Sequence, residues 1–266
     1  MTDRSIPVPA ERVALAQRLA DASGAVIKPY FRSALTVSSK ADATPVTLAD
    51  QGAERAIRDL LALTVPDDGI WGEEYGQERL DAEWVWVLDP IDGTKAFVAG
   101  KPQFATLIGL LHWGKPVFGL IDQPILRERW LGGVGHPTTL NGQPVTTSSC
   151  PTLAQARLNT TTPAMFVGPD APAFGHLAQS ARQTTYGGDA YGYALLASGH
   201  LDLVVETQLK FYDFAALVPV ITAASGVITD WEGLALTAES GGDVLACANP
   251  ALHQAALAAL AVNLAK

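Results

Sequence analysis

The chain has 266 residues, of which 48% are hydrophobic, and its 18 Lys and Arg residues against 27 Asp and Glu residues give a formal net charge of −9. A chain of this length forms one large domain or two closely packed smaller ones, and can bury about 70–75% of its unfolded surface without disulfides. The acidic balance, without any basic run, excludes nucleic acid as an expected partner.

The compartment is predicted from what the sequence lacks. The first residues (MTDRSIPVPAERV) do not place a charged segment before an apolar one, as a secretory signal would. No apolar stretch approaches the roughly 20 residues that span a bilayer. Cys150 and Cys247 are far apart and form neither a disulfide framework nor a zinc motif. We therefore expect a cytoplasmic protein without a membrane segment.

The first half of the chain predicts two helices followed by several strands. Apolar residues at helical spacing predict helices over 11–31 and 47–63, separated by a polar loop or short strand over 33–45. Short runs of aromatic and β-branched residues between turn signals predict the following strands: 69–72, 83–88, 104–111, 116–122 and 128–131. The run at 94–99 is predicted to begin a short helix.

The second half continues the same mixture. A polar region over 137–162 is predicted to contain the join between a half at 1–150 and a half at 151–266, which pack as one compact unit. Helices are expected over 189–197, 213–224 and 250–260, and strands over 201–206, 227–229 and 244–248. Helices and strands mixed in this way predict an α/β or α+β layered sandwich.

Acidic residues follow the predicted strands. Glu73 and Glu74 stand where one apolar segment ends, and Asp89 and Asp92 stand where the next ends. Carboxylates at strand ends meet in the crevice where α/β proteins bind ligands. Each like-charged pair at 4 Å costs about 4 kcal/mol near a protein surface. The cluster therefore predicts a bound cation.

The chemistry of this cluster indicates which cation it holds. Carboxylate oxygens without His or Cys favour Mg²⁺, Mn²⁺ or Ca²⁺ over zinc or copper. Mg²⁺ commonly completes its coordination with phosphate oxygens of a substrate. Gly93 permits close backbone approach to a ligand, and the helix beginning at Thr94 offers free N–H groups to an anion. Phosphoryl chemistry is the leading hypothesis.

Four segments carry a resemblance to a known family. Residues 71–74 (WGEE), 89–94 (DPIDGT), 213–226 (DFAALVPVITAASG) and 45–54 (PVTLADQGAE) resemble the inositol monophosphatase-like family of Mg²⁺-dependent, lithium-sensitive phosphatases. The resemblance implies an αβαβα sandwich of the inositol monophosphatase and fructose-1,6-bisphosphatase type, often a homodimer. Tyr212 stands where the family commonly has Trp.

The resemblance also implies roles for individual residues. The implied metal ligands, for two or three Mg²⁺ ions with Mn²⁺ as a substitute, are Glu73, Asp89, the Ile91 carbonyl, Asp92 and Asp213. Asp50 and Thr94 are implied to orient and deprotonate the attacking water. The implied substrate-binding set is Glu73, Ile91, Asp92, Gly93, Thr94, Asp189, Glu206 and Asp213. Lys40 matches a basic position near the phosphate, and Glu74 matches the motif without a ligand role.

The second half indicates which small phosphorylated alcohol is the substrate. Residues 186–197, 202–206 and 210–220, together with Lys95 and 122–124 (DQP), look like the histidinol-phosphatase branch, which serves histidine biosynthesis. Asp189 and Glu206 could receive the ammonium of histidinol phosphate, although Asp189 also reads as a helix N-cap. The alternatives are an inositol-1-monophosphatase, a 3′(2′),5′-bisphosphate nucleotidase and a non-catalytic phosphate-binding protein.

Overall fold

The computed structural model describes residues 7–33, the backbone of 38–39 and 45–46, and residues 48–264, with side chains described as far as residue 261. Lys40, Thr47 and most of the predicted polar segment 33–45 lie outside the described residues, so the role expected for Lys40 stays a prediction. The helices are α1 (Ala10–Ile27), α2 (Leu48–Thr64), α3 (Thr94–Val98), α4 (Asp170–Ser180), α5 (Ala190–Ala197), α6 (Phe211–Phe214), α7 (Leu217–Ala223) and α8 (Pro250–Leu264).

Two sheets and one short strand pair form the frame. The strands are β1 (Ser38–Ser39), β2 (Pro45–Val46), β3 (Gly69–Gly72), β4 (Gly76–Glu78), β5 (Trp84–Asp92), β6 (Ala105–His112), β7 (Lys115–Gln123), β8 (Glu128–Gly133), β9 (His136–Leu140), β10 (Gln143–Pro144), β11 (Arg157–Thr160), β12 (Gln183–Tyr186), β13 (Leu203–Glu206), β14 (Val227–Thr229) and β15 (Val244–Cys247). The larger sheet has the order β10-β9-β8-β7-β6-β5-β3-β4, the smaller one β12-β11-β13-β15-β14, and β1 pairs with β2.

Strands of the larger sheet have apolar side chains on both faces. Trp86 and Leu88 of β5 pack in one cluster with Leu19 of α1 and Ile57 of α2. Val85 and Val87, the alternate residues of β5, pack in another cluster, which contains α5 and α7. Because successive strand side chains point to opposite faces, β5 is covered on both sides.

The helices α5 and α7 lie between the two sheets. Their apolar residues pack in one cluster with Val204 of β13 and Ala246 of β15 as well as with β5. The alternate residues Leu203 and Leu245 pack with α4 and α8 on the far side of the smaller sheet. The layers therefore run helix, sheet, helix, sheet, helix, and the predicted αβαβα sandwich is confirmed.

Several elements differ from those expected. The strand predicted over 83–88 continues through Asp92 as β5, with a shift of register between Asp89 and Asp92 where Pro90 has no N–H to donate. The single helix predicted over 213–224 is wrong, since the chain forms two short helices, α6 and α7. The elements β4, β9, β10, β11, β12 and α4 were not predicted. Both β4 and β12 are largely exposed edge strands, so they lack the apolar alternation that marks a strand.

Two glycines let α7 approach the larger sheet closely. Gly109 of β6 pairs with Gly119 of β7, and a Cβ placed on Gly119 would lie 1.9 Å from the Ala216 backbone oxygen. Because the obstacle is backbone, the helix must move if a side chain is added. This contact holds α6 and α7, and hence Asp213, against the sheet.

We expect Gly119→Ala to lower the free energy of unfolding by about 3 kcal/mol, the upper range for overpacking. Gly175→Ala in α4 is the matched control, because a Cβ there meets no atom within 4 Å. That substitution should be neutral or stabilising by up to about 1 kcal/mol. Urea unfolding followed by circular dichroism measures both, and equal stability of the two variants would contradict the close contact.

Candidate active site

Two neighbouring parallel strands deliver the first carboxylates. β3 and β5 pair in parallel with Gly72 opposite Leu88, and the Glu73 N–H donates to the Leu88 carbonyl at 3.1 Å. Glu73 and Asp89, the next residues on the two strands, therefore emerge side by side. The carboxyl ends of parallel strands meet at one edge of the sheet, as the sequence predicted.

Asp213 reaches this edge from α6. The Lys210 N–H donates to Asp213 Oδ2 at 2.6 Å, which fixes the side chain at the start of the helix. Asp89, Asp92 and Asp213 each place one carboxylate oxygen within 4.8 Å of the others. Two acids at the end of β5 and a third that is distant in sequence thus form one oxygen-rich trio, called the lower trio below.

A second trio of carboxylates lies beside the first. Asp50, in the first turn of α2, meets Glu73 and Glu74, and one oxygen of each lies within 4.8 Å of the others. The Asp89 carboxyl is within hydrogen-bonding reach of both Glu73 and Asp213, so it joins the two groups. Glu74, for which the sequence predicted no ligand role, belongs to this upper trio.

The crowding raises the pKa of these carboxyl groups. Burial is the main cause, and it raises the pKa of Asp50, Asp89 and Asp92 well above the ordinary range. Burial and the neighbouring Asp213 raise the pKa of Glu73 to about 7. Burial raises the pKa of Asp213 to about 6. A bound cation would reverse these shifts by favouring the ionised forms.

The donor set fits a hard divalent cation. Both trios consist of carboxylates, whose oxygens are the ligands that Mg²⁺ prefers. Within the described residues, the buried Asp89 Oδ1 has no hydrogen-bond partner. Since buried polar atoms nearly always have a partner, this atom is consistent with a ligand to an ion.

The turn after β5 links the water-activating candidates. Gly93 adopts φ +88° and begins α3, a backbone conformation that favours glycine. Thr94 Oγ1 donates to the Ile91 carbonyl at 3.1 Å, and the Ile91 N–H donates to the Asp50 carboxylate. Asp50 and Thr94 therefore both bond to Ile91, one to its N–H and one to its carbonyl.

The substrate-side candidates are linked by a residue that the sequence did not predict. Thr161 Oγ1 accepts from the Asp189 N–H at 3.1 Å, and the Thr161 N–H donates to Glu206 Oε1 at 3.0 Å. The Tyr193 hydroxyl donates to Glu206 Oε2 at 3.2 Å. Thr161 follows β11, a polar strand without apolar alternation, so neither pattern nor motif marked it.

Asp189 occupies the N-cap position of α5, as predicted, but it does not cap the helix with its side chain. Its side chain makes no capping hydrogen bond, and the Ala190 N–H at the start of α5 instead donates to the Asp92 carboxylate. Asp189 adopts φ +45°, a strained conformation for a residue with a side chain. Its carboxylate lies close to Gly93, where an added Cβ would be 3.0 Å from Asp189 Oδ2.

Both substrate-side acids have raised pKa values. Burial raises the pKa of Glu206 to about 7, against the effect of its bonds to Thr161. Burial raises the pKa of Asp189 to about 6, and the nearby Lys95 opposes the shift. One buried and one half-buried carboxyl group next to the lower trio leave this side of the site acidic and suited to a cation.

Several known proteins are similar to this chain in sequence and in structure. A profile described as the Inositol monophosphatase family matches residues 9–265. A chloroplastic bifunctional phosphatase, IMPL2, of Arabidopsis thaliana is 49% identical over 256 residues, covering 93% of this chain and 74% of the relative. A histidinol-phosphatase of Chlorobaculum parvum is 33% identical over 248 residues, covering 92% of this chain and 95% of the relative. A solved inositol monophosphatase of Zymomonas mobilis has a TM-score of 0.88 and 48% identity, covering 95% of this chain and 98% of that chain.

The fold and the site define a phosphatase that hydrolyses phosphate monoesters of small molecules. The chain belongs to the inositol monophosphatase family. The family is metal-dependent, and the two trios are acidic clusters that could hold its metal. Among the described residues, no helix is both long and apolar enough to cross a membrane.

Proposed function

We propose that the protein is a Mg²⁺-dependent histidinol-phosphatase, which converts L-histidinol phosphate and water to L-histidinol and phosphate in histidine biosynthesis. The observation that carries the proposal is a pair of acids, the half-buried Asp189 and the buried Glu206, held together through Thr161 beside the lower trio. The histidinol-phosphatase of Chlorobaculum parvum supports it as a relative.

The charge of the substrate distinguishes the alternatives. Histidinol phosphate carries an ammonium group, and buried carboxylates are costly unless an opposite charge pairs with them. Inositol phosphate has only hydroxyl groups to offer, and a bisphosphorylated nucleotide would bring further negative charge toward Asp189 and Glu206. Inositol-1-phosphate is the second candidate, because the Zymomonas mobilis structure is described as an inositol monophosphatase.

The catalytic roles are proposed residue by residue. Glu73, Asp89, the Ile91 carbonyl, Asp92 and Asp213 would hold two or three Mg²⁺ ions, with Mn²⁺ as a substitute. When bound, such ions neutralise charge on the phosphate and lower the pKa of water. Thr94 Oγ1 would orient the attacking water and accept its proton while the Thr94 hydroxyl passes its own proton to the Asp50 carboxylate, which ends protonated. The Gly93 and Thr94 N–H groups bind the phosphate, and Asp189 and Glu206 bind the rest of the substrate.

Three further properties stay predictions of this proposal. Lithium sensitivity and a homodimeric assembly follow only from the family resemblance. A cytoplasmic location is likewise only expected, and the Arabidopsis thaliana relative is described as chloroplastic.

We expect Glu206→Gln to lower kcat/KM for L-histidinol phosphate by about 10- to 100-fold, the usual size of a lost hydrogen bond to a charged group. The same substitution should lower kcat/KM for inositol-1-phosphate by no more than about threefold, because that substrate has no ammonium group that could pair with Glu206. Asp189→Asn should likewise lower kcat/KM for L-histidinol phosphate more than kcat/KM for inositol-1-phosphate. Phosphate release from a panel of both substrates and 3′-phosphoadenosine 5′-phosphate measures the effects.

Tyr193→Phe is the matched control, since it removes a hydrogen bond to Glu206 and leaves the charge. Tyr193→Phe should change kcat/KM for both substrates by the same small factor. Equal losses on the two substrates in Glu206→Gln, or a wild-type enzyme that prefers inositol-1-phosphate, would overturn histidinol phosphate as the substrate.

A further inference from the structure

Another buried acid, Glu54, lies one helical turn beyond Asp50 on α2. Glu54 of α2 is fully buried, and its carboxylate accepts from the Glu74 N–H at 2.7 Å and from the Tyr75 N–H at 3.2 Å. Both N–H groups belong to the turn between β3 and β4. Because Glu73 stands at the start of this turn, Glu54 holds the backbone that carries a proposed metal ligand.

Arg58 completes the arrangement from the next turn of α2. Its Nε donates to Glu54 Oε1 at 2.7 Å, one terminal nitrogen donates to Glu78 Oε1 at 2.7 Å, and the other donates to the Gly76 carbonyl at 2.6 Å. The guanidinium thus compensates the charge of Glu54 and ties the β4 end of the turn to α2. We call Glu54 and Arg58 together the turn clamp.

The fit around the turn clamp is close. A Cβ placed on Gly72 would lie 2.0 Å from Glu54 Oε1, so a larger residue at the end of β3 would displace the carboxylate. This contact accounts for glycine directly before Glu73. It also means that the backbone of β3, the turn and α2 are held as one unit.

We propose that Glu54 and Arg58 are positioning residues that hold the Glu73 carboxylate against Asp50 and Asp89 and thereby raise the affinity of the site for its divalent cation. The proposal rests on the proposed metal centre. Glu73 shares the upper trio with Asp50 and Glu74, and like charges this close repel one another, so the turn that carries Glu73 must be held in place. The turn clamp holds it through the Glu74 and Tyr75 N–H groups.

The test measures metal binding to the purified full chain in the absence of substrate. Calorimetric titration with Mn²⁺, and with Mg²⁺, gives the dissociation constant of each variant. We expect Glu54→Gln to weaken binding by about 10- to 100-fold, the usual effect of losing a group that orients a metal ligand. At saturating metal its kcat should return to within about threefold of the wild-type value, because the clamp touches no reacting atom.

Glu78→Gln is the matched control, since it removes a half-exposed partner of Arg58 and leaves Glu54 in place. Its metal affinity should stay within about twofold of wild type. If Glu54→Gln fails to fold, Arg58→Lys decides the question, because it keeps the charge and loses the forked contacts. We expect that variant to bind metal about tenfold more weakly.

The outcomes separate the two proposals. Wild-type metal affinity in a folded Glu54→Gln, or in Arg58→Lys, would overturn the positioning role and leave the metal centre intact. A wild-type protein that binds neither Mg²⁺ nor Mn²⁺ would overturn the metal centre itself. Equal weakening in Glu78→Gln and Glu54→Gln would assign the effect to the stability of the β3–β4 hairpin as a whole and would overturn the positioning role of the turn clamp.

Discussion

Asp92→Asn is expected to lower kcat by about a thousandfold, at the upper end of what loss of one group stabilising the transition-state charge costs. Asn keeps one oxygen, which can still accept from the Ala190 N–H at the start of α5. The lower trio, however, loses a negative ligand. Because the wild-type carboxylates repel one another, the metal-free variant should be at least as stable as wild type at neutral pH.

Steady-state phosphate release, together with thermal unfolding in EDTA, checks this expectation. Asp122→Asn is the matched control, since Asp122 is a buried acid that pairs with Arg129 at 2.7 Å and has no member of either trio among its charged neighbours. It should keep near-wild-type activity and lose only about 1 kcal/mol of stability, because Arg129 keeps its bond to Asp21 at 2.8 Å. A wild-type kcat in Asp92→Asn would overturn Asp92 as a metal ligand.

Removal of divalent metal is expected to abolish turnover and to make stability depend strongly on pH. In the metal-free protein, burial and repulsion raise the pKa of Glu73 to about 7 and that of Asp213 to about 6. Unfolded carboxyl groups titrate near about 4. A folded pKa above the unfolded one means that the folded state binds protons more tightly, so stability is full below about pH 4 and is lost as pH rises through about 7.

Metal acts in the opposite direction, because it binds the deprotonated carboxylates. Thermal unfolding in EDTA should therefore show a Tm that falls between about pH 5 and about pH 8, and millimolar Mg²⁺ should raise Tm most at the higher pH. Added Mg²⁺ should also restore turnover. Turnover that survives EDTA, or an Mg²⁺ effect on Tm that is largest at about pH 5, would contradict the metal centre.

Part of the site was predictable because it depends on local order. Glu73 follows β3, Asp89 and Asp92 lie at the end of β5 after its apolar residues, and parallel pairing of β3 and β5 brings these ends together. The prediction that Asp213 is a metal ligand rested only on the family resemblance. No periodicity places α6 at the edge of a sheet formed by the other half of the chain.

The contacts that the sequence did not predict join side chains to the backbone across long separations in sequence. Thr161 bonds to Asp189 and Glu206 from the end of a polar strand, and Asp92 caps a helix that begins at Ala190. Nothing in a local window records such contacts. Glu54 carried a usable signal, since it is an acid on the buried face of α2 between Ala53 and Ile57.

The middle layer of helices determines whether the two halves of the chain can unfold independently. α5 and α7 are contributed by the C-terminal part of the chain, yet they cover the inner face of a sheet built from the N-terminal part. A cut near residue 150 would leave that face bare on one fragment and leave unburied helices on the other. We therefore expect one cooperative unfolding transition, and expect neither fragment to assemble the catalytic centre when it is expressed alone.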